Sequence, residues 1–261
     1  MDAGEEKLYW AESRMGIISK IRKRFAEEKP FQGIKIGMAL HLEAKTGILA
    51  KMLKDGGANV SITSCNPLTT DDDVAKTLSS EMKVYAKRGQ TKDEYYESLN
   101  KVLDNDPDII IDDGGDLTTL LHRERNLKIL GGNEETTTGV LRLKIMEREG
   151  ILKFPMFDVN DAEMKHLFDN RYGTGQSTLD GIMSTTNILM AGKNVVVAGY
   201  GWCGKGIAMR MKGMGARVTV TEIDPVKAVE AYMDGFYVKK MEDAIKEADI
   251  VITATGMTDV V

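Results

Sequence analysis

Only two cysteines, Cys65 and Cys203, stand in 261 residues, too few for a disulfide framework or a four-thiolate metal site. No apolar run approaches the roughly 20 residues that span a bilayer. The opening MDAGEEKLYW is acidic, where a secretory leader is basic and then apolar. Basic excess is missing too: 35 Lys and Arg against 40 Asp and Glu give a formal charge of −5, whereas nucleic-acid-binding domains are usually basic. The sequence shows no internal repeat and no low-complexity linker. These absences lead us to expect a reducing cytoplasm, no membrane, no nucleic-acid partner and no bound metal. What is present is ordinary globular material, 42% hydrophobic and 29% charged, enough for one large domain or two modest ones. The 16 methionines read as pliable core filling.

Strand-like and helix-like segments alternate along the chain. Residues 5–29 carry a helical pattern with Ile17, Ile18, Ile21 and Phe25 on one apolar face. Residues 33–40 (GIKIGMAL) read as a strand entering a core, followed by a helix around 46–54, a Gly56-Gly57 stop and a strand over 59–63. A helix near 93–104, the strand 108–112, a helix from Thr118, a short strand over 127–130 and a helix over 138–149 continue the series. That order predicts an α/β domain on a mostly parallel sheet. Beyond Gly192 come a strand at 193–198, a glycine-rich turn, a helix through Met211, a strand at 216–221, a helix near 225–233 and a strand over 249–256. We therefore expect a substrate-binding α/β domain over 1–171, a connecting hinge over 172–192 and an incomplete Rossmann domain over 193–261. Only the first of its two mononucleotide-binding halves is complete, so a fragment or truncated form is expected.

The turn GYGWCGKG at 199–206 is a G-x-G-x-x-G in the right setting: a buried strand before it, a helix after it and an acid ending the next strand. Gly199 permits the tight turn, Gly201 lets a pyrophosphate approach the backbone, and Gly204 lets helix and strand pack closely. The helix N-terminus offers N–H groups to phosphate. Glu222, 23 residues beyond Gly199, is placed to accept from both ribose hydroxyls of NAD and to repel the extra phosphate of NADP. Lys205 reads either as a phosphate contact or as a solvated lysine, and Cys203 as a small buried residue.

Three polar clusters follow predicted strands, where open α/β sheets bind ligands. They are His41-Leu42-Glu43-Ala44-Lys45-Thr46, Asp112-Asp113-Gly114-Gly115-Asp116 and Glu134-Glu135-Thr136-Thr137-Thr138-Gly139. Each has a structural alternative: a satisfied histidine, an aspartate-capped turn and a charged helix start. In a further polar run, 160–170, Lys165 and Asp169 are four apart and would share a helix face. Carboxylate, lysine, histidine and asparagine together in an NAD enzyme suit abstraction of hydroxyl and carbon-bound protons.

The run TSCNPLTTDD at 63–72, DDGGDLT at 112–118, EETTTG at 134–139, KHLFDN at 165–170, GYGWCGKG and TEIDP at 221–225 together resemble the S-adenosylhomocysteine hydrolase family, in the family's order and over nearly the whole chain. The resemblance implies a tightly held NAD, reduced and reoxidised within each turnover. Oxidation of the ribose 3′-hydroxyl acidifies the C4′ hydrogen, homocysteine leaves C5′ by elimination, water adds, and the 3′-hydroxyl is restored. It assigns Lys165 as base at the 3′-hydroxyl or C4′, with its pKa lowered beside oxidised nicotinamide. Asp113 and His41 become the acid–base pair at the 5′ position, and Glu135 and Asp169 the carboxylates on the ribose hydroxyls. Asn170 lies next to nicotinamide and sugar, Asn160 near the lysine, and Thr136 on the ribose. Asn66 and Thr46 join the substrate contacts, and Thr136, Thr137 and Thr138 are cofactor contacts supplied by the substrate domain. A homotetramer follows from the resemblance alone.

The sequence departs from the family pattern in places. Many members carry H-M-T-x-E-T where this chain has HLEAKT at 41–46, so the residues that help read adenine are Glu43 and Lys45. That variant resembles an archaeal and thermophilic-bacterial branch. A lysine near the purine six-position favours a carbonyl, which makes S-inosylhomocysteine an alternative substrate. Thr174 stands where other members have a cysteine. The family's later histidines and C-terminal Lys/Tyr arm lie outside these residues, so the fragment alone is expected to be weak or inactive. A catalytically inactive nucleotide-binding regulatory homologue is the competing class; it would need the ribose contacts but not the full acid–base set.

Overall fold

The computed structural model describes residues 1–125 and 128–261, and the chain divides into two units, Met1–Asn160 and Asp161–Val261. Among the described residues, the first unit holds β1 (Lys35–Leu40), β2 (Asn59–Ser64), β3 (Lys83–Val84), β4 (Ile109–Asp112), β5 (Gly131–Glu134) and β6 (Met156–Asp158). They form one sheet in the order β3-β2-β1-β4-β5-β6, parallel throughout. A sheet covered on both faces reads as continuous apolar runs, and Met38, Ile62 and Ile110 are accordingly sealed from solvent. Full burial of such a side chain contributes about 2 kcal/mol.

Helices α1 (Ala3–Arg14), α2 (Gly16–Glu28), α3 (Ala44–Asp55), α4 (Asp72–Ser79), α5 (Lys92–Leu103), α6 (Asp116–Glu124) and α7 (Thr137–Arg148) complete the unit. Their starts are chemically marked. Asp71 accepts from the N–H groups at the head of α4, and Thr91 with Glu94 closes a capping box on α5. The single helix expected over 5–29 is two, because Met15 leaves helical geometry at φ −103°, ψ 54°. Within α2, Ile18, Ile21 and Phe25 pack on the core, while Ile17, in the first turn, is 77% exposed.

A second expectation also changes. The strand foreseen over 127–130 includes Leu127, which lies outside the described residues; 128–130 carries no strand, and pairing starts at Gly131. Apolar residues drew the reading one segment too early. Closeness decides instead: a Cβ on Gly132 would lie 2.5 Å from Met156 Sδ and 2.6 Å from Ile110 Cγ1.

The second unit starts with α8 (Glu163–Lys165), which runs into a π-helical segment, His166–Gly173, and then α9 (Thr174–Thr186). After it come β7 (Asn194–Ala198), α10 (Trp202–Gly213), β8 (Arg217–Thr221), α11 (Pro225–Met233), β9 (Tyr237–Val238), α12 (Met241–Ala244) and β10 (Ile250–Thr253). The sheet order is β10-β7-β8-β9, again all parallel. Val195, Val197, Val218 and Val220 form its core with Ile207 and Met211 of α10. No helix among the described residues is long and apolar enough to cross a membrane.

Candidate active site

In the first unit the chain leaves β1 toward β2 and β3 on one side, and leaves β4 toward β5 and β6 on the other. That reversal is the topological switch point at which open α/β sheets bind ligands. His41 follows the last residue of β1, and Asp113 the last residue of β4. His41 Nε2 lies 3.6 Å from Asp113 Oδ2. On the other side of the ring, Nδ1 is 2.6 Å from Thr69 Oγ1, whose hydroxyl donates to Asn66 O at 2.9 Å. The Thr69 proton is thus committed elsewhere, so its oxygen accepts from Nδ1–H, and Nε2 is the nitrogen turned to Asp113. Cys65, after β2, donates to Asp113 Oδ2 at 3.5 Å, and burial pushes its thiol pKa far up, the nearby Asp113 charge adding to the effect.

Asp113 can be presented outward because Asp112 turns in. Successive side chains on a strand alternate faces, and Asp112 is fully buried, accepting from Thr118 N at 2.8 Å, Thr118 Oγ1 at 2.9 Å and Leu117 N at 3.3 Å. It ties the head of α6 to the end of β4. Gly114 and Gly115, at φ 100° and 77°, make the left-handed turn that a side chain would resist.

Glu134 repeats the arrangement one strand over. Its Oε1 accepts from Gly114 N at 2.8 Å and Thr136 N at 3.1 Å, so one buried carboxyl ties both ligand loops. Burial, then the Asp112 charge, pushes its pKa up to about 8, while burial raises Asp112 to about 6. Glu134 Oε2 is buried without a hydrogen-bond partner among the described residues, whereas Asp112 is fully solvated by donors. We therefore assign a proton to Glu134 and the charge to Asp112. Neither residue was singled out from sequence. Strand alternation through DD and EE was the available signal, since one acid of each pair had to face inward.

The other expected residues of this unit fall into place around these loops. Glu135 N donates to Asp112 O at 2.9 Å. Thr136 precedes α7, whose first turn carries Thr137 and Thr138; buried Asn160 donates to Thr137 Oγ1 at 3.1 Å. Glu43 caps α3 by accepting from Lys45 N at 3.0 Å and Thr46 N at 3.1 Å, and its other oxygen lies 3.3 Å from Lys45 Nζ. Asn66 caps the short turn Pro67–Thr69 by accepting from Leu68 N.

In the second unit, the π-helical segment brings Lys165 to Asn170. Lys165 Nζ donates to Asn170 Oδ1 at 2.7 Å and lies 3.0 Å from Asp169 Oδ2. An α-helical count predicts only the pair four apart; the wider π-turn adds the one five apart, and π-bulges gather at functional sites. At the glycine turn, Gly199 has φ 97°, and a Cβ on Gly204 would lie 2.0 Å from Gly199 O. A Cβ on Gly201 would meet nothing within 4 Å, which leaves open the approach a pyrophosphate needs. The first N–H groups of α10 carry no side-chain cap. Glu222 ends this constellation: burial works against its charge, but N–H bonds from Asp224, Tyr200 and Ile223 outweigh that and hold its carboxyl below the usual range. Lys205 is not solvated: its side chain is 12% exposed, and its Nζ is 2.6 Å from Glu230 and lies over the Trp202 ring.

Two family models match, S-adenosyl-L-homocysteine hydrolase over residues 1–130 and its NAD-binding domain over 170–261. The chain belongs to the S-adenosyl-L-homocysteine hydrolase family. Family membership makes the G-x-G-x-x-G loop part of an NAD-binding domain. Among curated relatives, the adenosylhomocysteinase of Thermoplasma volcanium is 67% identical over 98% of this chain and 63% of its own length. The S-inosyl-L-homocysteine hydrolase of Methanocaldococcus jannaschii is 63% identical over 99% of this chain and 63% of its own. An adenosylhomocysteinase from Archaeoglobus fulgidus is 59% identical over 99% and 65%. The chain thus spans about two-thirds or slightly less of the length of these family members.

Proposed function

We propose that this protein reversibly hydrolyses S-adenosyl-L-homocysteine to adenosine and homocysteine with a retained NAD. The observation that carries the reading is the His41–Asp113 pair, 3.6 Å apart at the switch point. A module that only bound a nucleotide would have no need of an acid–base pair there. The residues present fit NAD: space at Gly201, free N–H groups at the head of α10 and a Glu222 carboxylate held ionised. When bound, NAD supplies a reversible hydride acceptor at the ribose 3′ carbon.

The remaining work belongs to side chains of this chain. Lys165, oriented by Asn170 and Asp169, is the base at the 3′-hydroxyl or at C4′. His41 Nε2 delivers a proton to the departing sulfur at C5′, and Asp113 accepts one from the water that adds. Thr69 keeps the imidazole in the orientation both steps need. Glu135 of the first unit and Asp169 of the second are the carboxylates for ribose hydroxyls, and Thr136 and Asn160 are further substrate contacts of the first unit. A cytoplasmic homotetramer belongs to the same reading.

A second reading concerns the base. The Lys45 side chain is 68% exposed at the start of α3, its Nζ only loosely paired with Glu43 at 3.3 Å, a donor better matched to the carbonyl of hypoxanthine than to the amine of adenine. Offering the adenosyl and inosyl thioethers separately to the full-length parent protein and following free thiol decides it. Faster release from the adenosyl compound supports the first reading, and from the inosyl compound the second. Release from neither sinks the hydrolase reading, and net accumulation of NADH would point to an ordinary dehydrogenase.

A further inference from the structure

His41, Cys65 and Asp113 leave three neighbouring strands, β1, β2 and β4, at the same sheet edge. The backbone fixes them there: Leu40 pairs with Ser64 and Ala39 with Asp112 in the parallel ladders, and Cys65 N donates to Leu40 O at 3.1 Å. The donor atoms Nε2, Sγ and a carboxylate oxygen all lie within 4.8 Å of one another. Tetrahedral zinc, with bonds of about 2.0–2.3 Å, sets its ligand atoms roughly 3.3–3.6 Å apart. The observed separations are 3.5 Å from Sγ to Asp113 Oδ2 and 3.6 Å from His41 Nε2 to the same oxygen. Thr69 holds Nδ1–H, which is how a ligating histidine is normally fixed from behind. The ring so held turns Nε2 toward the Asp113 carboxylate, with Cys65 Sγ on the same oxygen.

We propose that His41 Nε2, Cys65 Sγ and the Asp113 carboxylate form a site for a thiophilic divalent cation of the zinc class, which excludes the nucleoside substrate while it is bound. The thiol proton leaves to solvent as the sulfur–metal bond forms, and a water completes the fourth position. The mixed sulfur, nitrogen and oxygen set selects zinc, cobalt or cadmium over magnesium and calcium, which take oxygen donors. Metal binding stands on the geometry alone; the exclusion of substrate rests on the hydrolase reading above.

The test is titration of the full chain with Co2+ alone, following the thiolate-to-cobalt charge-transfer band, then displacement by Zn2+. One equivalent is expected, with the band kept in Cys203→Ser and lost in Cys65→Ser. Thr69→Val, which loses the orienting hydroxyl, is expected to bind zinc roughly ten- to a hundredfold more weakly. No band in the wild type, or a band surviving in Cys65→Ser, overturns the site. Should Cys65→Ser not fold, His41→Asn must weaken cobalt binding at least about tenfold, or the proposal fails. A cobalt band together with no thiol release from either nucleoside thioether by the full-length parent protein overturns the hydrolase reading and keeps the metal site. Thiol release that saturating zinc leaves unchanged overturns the exclusion.

Discussion

Asp112 and Glu134 are paired residues of the parallel ladder between β4 and β5, and both are fully buried. Neither is accessible to solvent, so the two carboxyls cannot both be charged at low cost. The donors divide unequally: Asp112 receives three hydrogen bonds near Thr118, and Glu134 Oε2 none among the described residues. A protonated Glu134 beside an ionised Asp112 therefore holds the loops that display Asp113 and Glu135.

This pair gives the first unit a pH dependence of unusual sign. Glu134 is raised to about 8 in the folded chain from 4.5, so the folded state keeps a proton that the unfolded state gives up between those values. Stability is then greatest near and below pH 4.5 as far as this group is concerned, and falls as pH rises toward 8, by roughly 1.4 kcal/mol per pH unit at most. Asp112, raised to about 6, contributes the same sign over the lower part of that window. Glu134→Gln keeps an acceptor for Gly114 and Thr136 but cannot ionise. Its urea midpoint relative to wild type should be higher at pH 8 than at pH 5; an unchanged difference would show that Glu134 does not hold the proton.

Gly139→Ala tests the seat of the same carboxyl. The new Cβ would stand 2.1 Å from Glu134 Cδ and 2.2 Å from its Oε1. Overpacking of this kind costs about 1–3 kcal/mol, and displacement of Glu134 loosens both loops at once. Lower thermal stability together with weaker thiol release is expected. A variant that melts with wild-type stability would mean the carboxyl has another place to go.

Two glycines in the nucleotide turn should separate binding from folding. Gly201→Ala adds a methyl that meets no protein atom within 4 Å, so its melting temperature should match wild type while NAD affinity drops by about tenfold or more. Gly204→Ala drives a methyl to 2.0 Å from Gly199 O, so stability should fall by at least about 1 kcal/mol. Calorimetric titration with NAD and thermal melts on both variants give the comparison. Equal NAD affinity in Gly201→Ala would argue against pyrophosphate at that turn.

Asn170 positions the lysine. Asn170→Ala removes the acceptor 2.7 Å from Lys165 Nζ and leaves the Asp169 contact at 3.0 Å. Misplacing a reacting group by about 1 Å can cost a hundredfold in rate, so kcat should fall by that order with a smaller change in KM. A loss confined to KM would make Asn170 a binding residue only.

Much of this was legible in the sequence. Strands β1, β4 and β7 follow apolar runs, as buried parallel strands do, while β2 and β8 alternate Val or Ile with Ser or Thr. The glycine turn and Glu222 are a local pattern, since a tight turn and a helix start are made by adjacent residues. His41, Asp113, Lys165 and Asn170 came from motif resemblance, and the structure puts His41 against Asp113 and Lys165 against Asn170. Strand β5 was missed because its two glycines are selected by what lies against them, Pro155 and Met156, and not by strand preference.

The sequence by itself determined the alternation of strands and helices, the nucleotide turn and the identity of the polar loops, all properties carried by neighbouring residues. Only the tertiary structure decided that Asp112 and Glu134 are buried side by side with unequal donors, that Lys205 belongs to Glu230 and that Cys65 joins His41 and Asp113. Each of those facts depends on separation through space and on exclusion of water, and burial and Coulomb energy are set by residues that the chain brings together from far apart.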